Sequence, residues 1–182
     1  MKYLNHHLGK LIIVAAIVLT GCQQKEESLA SGTAEQSAAA TQDVKILEGA
    51  ITVKIPLDMN HIMDQGTVQG YAGSNGMAIL LGSAPAANQQ SSDLLAQTIA
   101  NLKNLDPNAK EVRKYDVDMG GTRANALEIE MKSKGQKVFM TMALAIVNNN
   151  VISIQVTGPQ GDAEEVQATA KRVFSSLVIA NK

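Results

Sequence analysis

The sequence is poor in the side chains that most often carry disulfide, metal and nucleophilic chemistry. It has one cysteine, Cys22, and no tryptophan, and aromatic residues make up only 3% of its 182 residues. A single cysteine excludes an intramolecular disulfide. Two of the three histidines, His6 and His7, lie at the N-terminus, so His61 is the one imidazole of the remaining chain. This inventory offers little for catalysis.

The N-terminal segment has the parts of a secretory signal. Its first ten residues contain two lysines and no acidic residue, and the apolar run Leu11–Thr20 is about half as long as a spanning helix requires. Leu19-Thr20-Gly21-Cys22 then matches the bacterial lipobox, in which the cysteine thiol takes a diacylglycerol. We predict a lipoprotein signal peptide at residues 1–21 and lipidation of Cys22 by the lipoprotein maturation machinery. The alternative is an ordinary or uncleaved signal with an incidental cysteine.

Residues 22–43 are predicted to be the lipidated N-terminus and a disordered tether. The segment is rich in Ser, Ala, Gln, Glu and Thr, and Leu29 is its one large apolar residue between positions 23 and 42. Twenty such residues span roughly 25 Å. The tether would let a domain at residues 44–182 stand off the bilayer.

The charge of the mature chain excludes some partners. Removing residues 1–21 removes two of the sixteen Lys and Arg residues and none of the seventeen Asp and Glu residues, which leaves a net charge of −3. Nucleic-acid binding needs a concentrated basic face and is not expected. The same charge argues against electrostatic adhesion to anionic lipids.

Hydrophobic periodicity predicts an α+β domain with a mainly antiparallel β-sheet flanked by helices. Lys137–Val147 is apolar on both faces, so we predict a central strand covered above and below. Leu57–Gln65 is predicted to be irregular. The other predicted strands are Ala50–Ile55, Thr67–Ala72, Met77–Gly82, Lys110–Asp118, Thr122–Lys132, Val151–Thr157 and the closing pair Val178-Ile179.

Two helices are predicted from apolar stripes and start signals. The first covers Asp93–Leu105 with Ser92 as its cap, and the second follows the capping box Asp162-x-x-Glu165. A two-residue turn between the strands before and after Gly120-Gly121 would pair Lys114 with Leu127, so we expect an extra looped or bulged residue there.

Acidic pairs are the first candidate sites. Glu128 and Glu130 share one strand face about 6.6 Å apart, which could suit hydrolysis or a hard cation. The alternative is a solvated face beside Arg113, Arg123 and Lys132, which we favour because nothing nearby predicts burial. Asp116 and Asp118 have the same spacing and are expected to solubilise a hairpin end, with calcium binding as the alternative.

The remaining candidates are weaker. Asp58-x-x-His61-x-x-Asp64 is a hypothetical metal site, with a plain loop histidine as the alternative. Ser74, Ser91 and Ser92 lack a partnered base, and the glycines at 70, 73 and 76 fit a hairpin turn better than a phosphate loop. Most methionines lie on predicted core faces, whereas Met59 and Met63 are expected to offer an exposed apolar contact.

The whole chain resembles the DcrB-type lipoproteins, a bacterial family related in fold to the Mog1/PsbP group. The matching landmarks are the lipobox, the tether, Asp106-Pro107, the Lys134-Gly135-Gln136 turn, Asn148–Asn150 and Ser176–Ile179. The resemblance implies an α/β/α sandwich facing the periplasm and a non-enzymatic role in envelope processes, including phage adsorption or DNA entry. It transfers one site residue, the lipidated Cys22, and no catalytic residue, cofactor or metal.

One position departs from the family pattern. Members that stay in the inner membrane typically have Asp after the lipidated cysteine, whereas Gln23 stands here and suggests the outer membrane. The leading hypothesis is a lipid-anchored module that binds an unidentified envelope protein, with homo-oligomerisation left open. The alternative is a domain that binds a small ligand or a metal, with hydrolysis as one version of it.

Overall fold

The computed structural model describes residues 40–180. These residues form a three-stranded sheet, a seven-stranded sheet and two α-helices, and their strand pairs are antiparallel. The predicted α+β class is confirmed. The strands are β1 Thr41–Ile46, β2 Ile51–Pro56, β3 Asn60–Gln65, β4 Val68–Ala72, β5 Ala78–Pro85, β6 Lys110–Met119, β7 Thr122–Ser133, β8 Gln136–Val147, β9 Asn150–Pro159 and β10 Val178–Ile179; the helices are α1 Ser91–Leu105 and α2 Ala163–Ser175.

The large sheet has the order β3-β4-β5-β9-β8-β7-β6, so β3 and β6 are its two edges. Strand β8 lies inside it and is buried on both faces, as its sequence predicted. One face carries Val138, Met140 and Met142 toward α1, and the other carries Phe139 and Ala143 toward α2. The small sheet has the order β1-β2-β10 and packs on the α2 side.

Helix α1 covers the β7–β8 region of one face with a stripe of buried side chains, Leu94, Leu95, Ile99 and Leu102. The predicted Ser92 cap is wrong, because the helix begins at Ser91 after Gln90 and has no side-chain cap. The Ser91 hydroxyl instead donates to the side-chain oxygen of Asn125 on β7. The hydroxyl at the start of α1 therefore bonds to the sheet and not to the backbone of its own helix.

Helix α2 packs its apolar stripe of Val166, Ala170, Val173 and Phe174 between the large and the small sheet. The predicted capping box is also wrong. Asp162 precedes the helix without a capping hydrogen bond, and Glu165 accepts a hydrogen bond from Asn75 in the β4–β5 turn. Neither helix in residues 40–180 is long and apolar enough to cross a membrane.

Three further differences from the predictions have tertiary causes. Strand β3 lies where an irregular segment was expected, because pairing with β4 compensates for its polar sequence and its bulge. Lys114 does pair with Leu127 across a two-residue turn, and the bulge lies at the far end, between Glu111 and Arg113. The pairing is tolerated because β6 is an edge strand whose lysine remains exposed. Strand β1 begins at Thr41, three residues before the predicted domain start.

Candidate functional site

The most developed polar cluster lies where α2 crosses the β6–β7 edge of the sheet. Register places Arg113 and Tyr115 of β6 on the same face as Glu128 of β7. Gln167 reaches down to them from α2. Glu128 is buried, with a side chain that is 1% exposed, although its sequence neighbours predicted a solvated face. The solvated interpretation of Glu128 is therefore wrong.

Four donors surround the Glu128 carboxylate. Arg113 donates from Nε to Oε2 at 2.8 Å and from Nη2 to Oε1 at 2.7 Å. The Tyr115 hydroxyl donates to Oε1 at 3.2 Å, and Gln167 Nε2 donates to Oε2 at 2.9 Å. A buried carboxylate is stable when it is paired and fully hydrogen-bonded, and both conditions are met here.

The same contacts set the ionisation of the neighbouring groups. Burial, then the Glu128 charge and its hydrogen bond, raise the pKa of Tyr115 to about 12. The hydrogen bond to Glu128 raises the pKa of Arg113, whose guanidinium also lies 4.4 Å from the centre of the Tyr115 ring. At neutral pH the cluster is a fixed ion pair with a neutral tyrosine. Its geometry joins α2 to the sheet edge and leaves the carboxylate fully occupied by donors.

Glu130, the predicted partner of Glu128, is not part of this cluster. It lies farther along β7, about one-third exposed, with Lys110 Nζ 4.0 Å from its Oε2. The strand brings the two glutamates to one face, as predicted. Their surroundings differ, because α2 covers Glu128 and leaves Glu130 near solvent. Of the three basic residues expected beside the pair, Arg113 binds Glu128.

A second polar group lies on the opposite face of the same edge. Asp116 accepts hydrogen bonds from Arg123 and from Asn125 Nδ2, and Asn125 in turn accepts from Ser91. Arg123 holds the pKa of the Asp116 carboxyl below its usual range. Asp118 accepts from the backbone N–H of Gly121 and so shapes the hairpin turn.

A groove of about 370 Å³ runs between α1 and β6 on this face. Its size falls within the range of small-molecule sites. Leu95 and Ala96 provide an apolar side, and Lys114, Asp116 and Asn125 provide a polar side. Ser92, a serine for which the sequence showed no partnered base, also lines the groove. The sequence pointed to Ser92, Lys114 and Asp116 separately, and Ala96 and Asn125 were not among the predicted residues.

The predicted histidine site is dispersed over the β3 edge. Asp58, His61 and Asp64 are exposed, and the His61 ring is tilted against the Tyr71 ring at a centroid distance of 5.2 Å. Among residues 40–180, no group of three His, Cys, Asp or Glu side chains is arranged to hold a metal ion. The contact with Tyr71 accounts for the position of His61.

The methionine prediction is half wrong. Met59 is buried in the core cluster on the α2 side and lies beside Gly73, whereas Met63 is partly buried beside Leu80 over Gly70. Apolar exposure in this region comes from Leu57 and Ile62 instead. The glycine-rich stretch forms the predicted turn, in which Gly73 N–H donates to the Met77 carbonyl and Gly76 has a φ of +79°.

Asp106 fastens the end of α1 to the sheet. Its carboxylate accepts from the backbone N–H of Asn108 at 2.9 Å and of Lys132 on β7 at 2.7 Å. The N–H of Lys132, then that of Asn108, lower the pKa of this aspartate. Cys22, the predicted signal peptide at residues 1–21 and the tether up to residue 39 lie outside the described residues.

The DcrB family model matches residues 77–176, which include β5 to the end of α2 with both polar clusters. The chain belongs to the DcrB family. The curated protein "Inner membrane lipoprotein DcrB" of Shigella flexneri is 23% identical over 98% of this chain and all of its own length. That full-length relation supports the interpretation of the chain as an envelope lipoprotein, and it gives no support to an outer-membrane location.

Solved structures confirm the predicted Mog1/PsbP-like fold. The solution structure of cyanobacterial PsbP (CyanoP) from Synechocystis has a TM-score of 0.63 at 10% identity and covers 82% of this chain and 98% of its own. A Mog1 structure has a TM-score of 0.58 at 13% identity, with 79% and 97% covered. The protein LpqN of Mycobacterium tuberculosis, described as involved in cell envelope biogenesis, also has a TM-score of 0.58 at 13% identity, with 80% and 93% covered.

Proposed function

We propose that this protein is a lipid-anchored, periplasm-facing lipoprotein of the cell envelope that acts as a non-enzymatic interaction module. The observation that carries the proposal is the relation to a membrane lipoprotein over 98% of the chain, which extends into the segment with Cys22. Two or three acyl chains at Cys22 would hold the domain at the membrane effectively irreversibly, since each buried methylene contributes about 0.8 kcal/mol.

The polar clusters support a binding role for the domain. Glu128 is occupied by four donors, Asp106 by two backbone N–H groups and Asp116 by Arg123 and Asn125. Carboxylates used in this way stabilise the fold and are poor acids or bases. The function then depends on the surface that the domain presents to an envelope protein, and this partner can be captured by cross-linking the anchored protein in membranes.

Anchorage can be tested directly. Replacing Cys22 with Ala should release the domain from the membrane fraction or stop its maturation, while unfolding of the soluble domain stays unchanged. Sucrose-gradient separation of the two membranes, with Gln23→Asp as the reference for inner-membrane retention, tests the location. We propose the inner membrane, as in the Shigella relative. Co-migration with outer-membrane markers that Gln23→Asp reverses would contradict it.

The non-enzymatic role has its own test. Asp58, His61, Asp64 and Glu130 can be replaced together by Asn or Gln without touching the buried clusters. Cellular function should survive these four changes. Loss of function in a variant with unchanged thermal unfolding would contradict the proposal.

A role in phage adsorption or DNA entry is the finer form of the proposal. This finer role rests on the resemblance of the sequence to the DcrB-type lipoproteins. Cells lacking the protein and cells complemented with it should differ in infection by dependent phages, and counting adsorbed particles separately from delivered DNA tells the two steps apart. Equal infection by every phage in a broad panel would reject this role.

The groove beside α1 favours one alternative, a small-ligand domain. Thermal shift of the Cys22→Ser protein against periplasmic metabolites and divalent metals tests it. Stabilisation by several degrees that disappears in Asn125→Ala would favour ligand binding over protein binding.

A further inference from the structure

The outer edge of β6 is the longest strand edge without a partner in residues 40–180. Strand β6 has ten residues and pairs with β7 on one side, while the other edge strand, β3, has six and is interrupted by a bulge near its middle. The β6 bulge lies near its start, so the register with β7 is regular from Arg113 to Met119. An exposed regular edge presents a row of unpaired N–H and C=O groups to another strand.

Charge is separated along the regular part of this edge, from Arg113 to Asp118. Arg113 and Lys114 precede Tyr115, and Asp116 and Asp118 follow it; Glu111, before the bulge, lies 3.1 Å from Lys114 on the exposed surface. Charged residues usually discourage pairing between sheet edges. Separation by sign has the opposite effect on an antiparallel copy of the same segment, because the basic residues of one copy meet the acidic residues of the other.

We propose that two copies of this chain pair antiparallel through β6 about a two-fold axis at Tyr115, which joins their seven-stranded sheets into one. In this register Lys114 faces Asp116 of the second copy, twice, on the side of α1. Arg113 faces Val117 of the second copy, and the two Tyr115 residues face each other, on the side of α2. Opposite charges and aromatic pairs directly across a strand pair are both stabilising.

Helix α1 does not cover the outer edge of β6. Helix α1 covers β7 and β8, and the groove along β6 remains open beside Ala96 and Lys114. The two-fold axis of an antiparallel strand pair is perpendicular to the sheet. Both copies therefore place β1, which follows Ala40, in the layer on the α2 side. This arrangement lets both chains extend toward the same membrane.

The contact is small, so the dimer should form mainly where both chains are anchored in one membrane. A strand pair of about five residues a side is well below the area of a standard interface, and the dimer should be weak in free solution. Anchored chains in one membrane share a high effective concentration. The dimer deepens the proposed interaction module by naming a second copy as a partner, and it can fail while membrane anchorage holds.

Disulfide formation at the axis tests the register. In membranes that hold the acylated protein, Tyr115→Cys provides a free thiol directly opposite its copy, at a Cβ distance of about 5 Å. Val117→Cys lies on the same strand and face but about 13 Å from its copy along the strand, and it serves as the matched control. We expect several-fold more linked dimer from Tyr115→Cys on non-reducing gels. Equal yields from the two variants would overturn the proposal.

Charge reversal tests the complementarity. Lys114→Glu places like charges opposite each other twice and should weaken dimerisation by about tenfold or more, because two opposite-charge pairs become like-charge pairs. Adding Asp116→Lys should restore it, and Lys137→Glu, with the same change in net charge on β8, should have no effect. An unchanged dimer fraction in Lys114→Glu would contradict the proposed contact.

Amide hydrogen exchange on the unmodified protein tests the β6 dimer without a substitution that could disturb the fold. Backbone amides of Arg113–Val117 that point outward should exchange several-fold more slowly in protein-dense vesicles than in dilute nanodiscs with one copy each. Exchange that is independent of density, or protection confined to other strands, would overturn the β6 dimer.

Discussion

Arg113 makes two parallel hydrogen bonds to Glu128 across the outermost strand pair, at 2.8 and 2.7 Å. The arginine side chain is 56% exposed and the glutamate side chain 1% exposed, so a surface cation neutralises a buried anion. Gln167 adds a donor from α2, and the cluster therefore ties the helix to the sheet edge. This relationship gives the first two predictions.

Arg113→Met should destabilise the fold because it leaves the Glu128 charge buried without its cation. Breaking a buried pair costs about 3–5 kcal/mol, and the exposure of the arginine places the expected loss at about 2–4 kcal/mol. Urea unfolding of the Cys22→Ser protein measures it. Arg123→Met removes the exposed partner of Asp116 and should destabilise the fold clearly less than Arg113→Met. Equal losses would show that Glu128 does not depend on Arg113.

Tyr115 should lose its proton only at strongly alkaline pH. Residues 22–182 contain two tyrosines, Tyr71 and Tyr115, so in this part of the chain absorbance at alkaline pH can be assigned with one variant. We expect a step near pH 12 that Tyr115→Phe removes. Glu128→Gln removes the negative charge beside the hydroxyl and should lower this pKa, while burial keeps it above the ordinary value of 10.0. A Tyr115 step at or below pH 10 would contradict the packed cluster.

Asp106 should stabilise the fold at neutral pH and lose this effect in acid. Its folded pKa is lowered by two backbone N–H donors, so its contribution is complete above the unfolded pKa of about 3.9 and is lost as the pH falls through the folded pKa. The difference in unfolding free energy between wild type and Asp106→Asn should therefore be largest near pH 7 and shrink below about pH 4. A constant difference for Asp106→Asn would refute the assignment.

The two glycines of the β6–β7 turn should differ sharply in their tolerance of alanine. A Cβ on Gly120 would lie 1.7 Å from the carbonyl oxygen of Leu177, whereas a Cβ on Gly121 meets nothing within 4 Å. Both have positive φ, +58° and +86°, so both substitutions carry backbone strain. Gly120→Ala should cost about 3 kcal/mol or more, and Gly121→Ala about 1–2 kcal/mol, in thermal or urea unfolding. A reversed order would show that the α2–β10 junction does not rest on this turn.

Much of the fold could be predicted because its signals are local. The continuous apolar run of β8, the alternation in β9, the hairpin turn around Gly73–Gly76 and the apolar stripe of α2 each follow from a few neighbouring residues. The failures occurred where a distant group replaced the local one. Helix α1 begins at Ser91, which bonds to Asn125, and is not capped by Ser92 as predicted; the polar β3 becomes a strand because β4 pairs with it.

The cluster around Glu128 was missed for a related reason, although one signal for it was present. Ala124 and Ala126 precede Glu128 on the same strand face, and small apolar residues there indicate close packing by another element. That element is α2, which lies some forty residues later in the chain. The charged residues of β7, taken alone, predicted that this strand face would be exposed to solvent.

The sequence by itself determined the α+β class, the family resemblance and the lipobox prediction at Cys22, because composition, periodicity and a short motif carry that information locally. The tertiary structure decided that Glu128 is buried and paired, that Met59 is inside, and that β6 is an open edge of the large sheet. These properties depend on which elements meet across the sheet. Burial and pairing are set by contacts between residues far apart in the chain, and no local pattern specifies them.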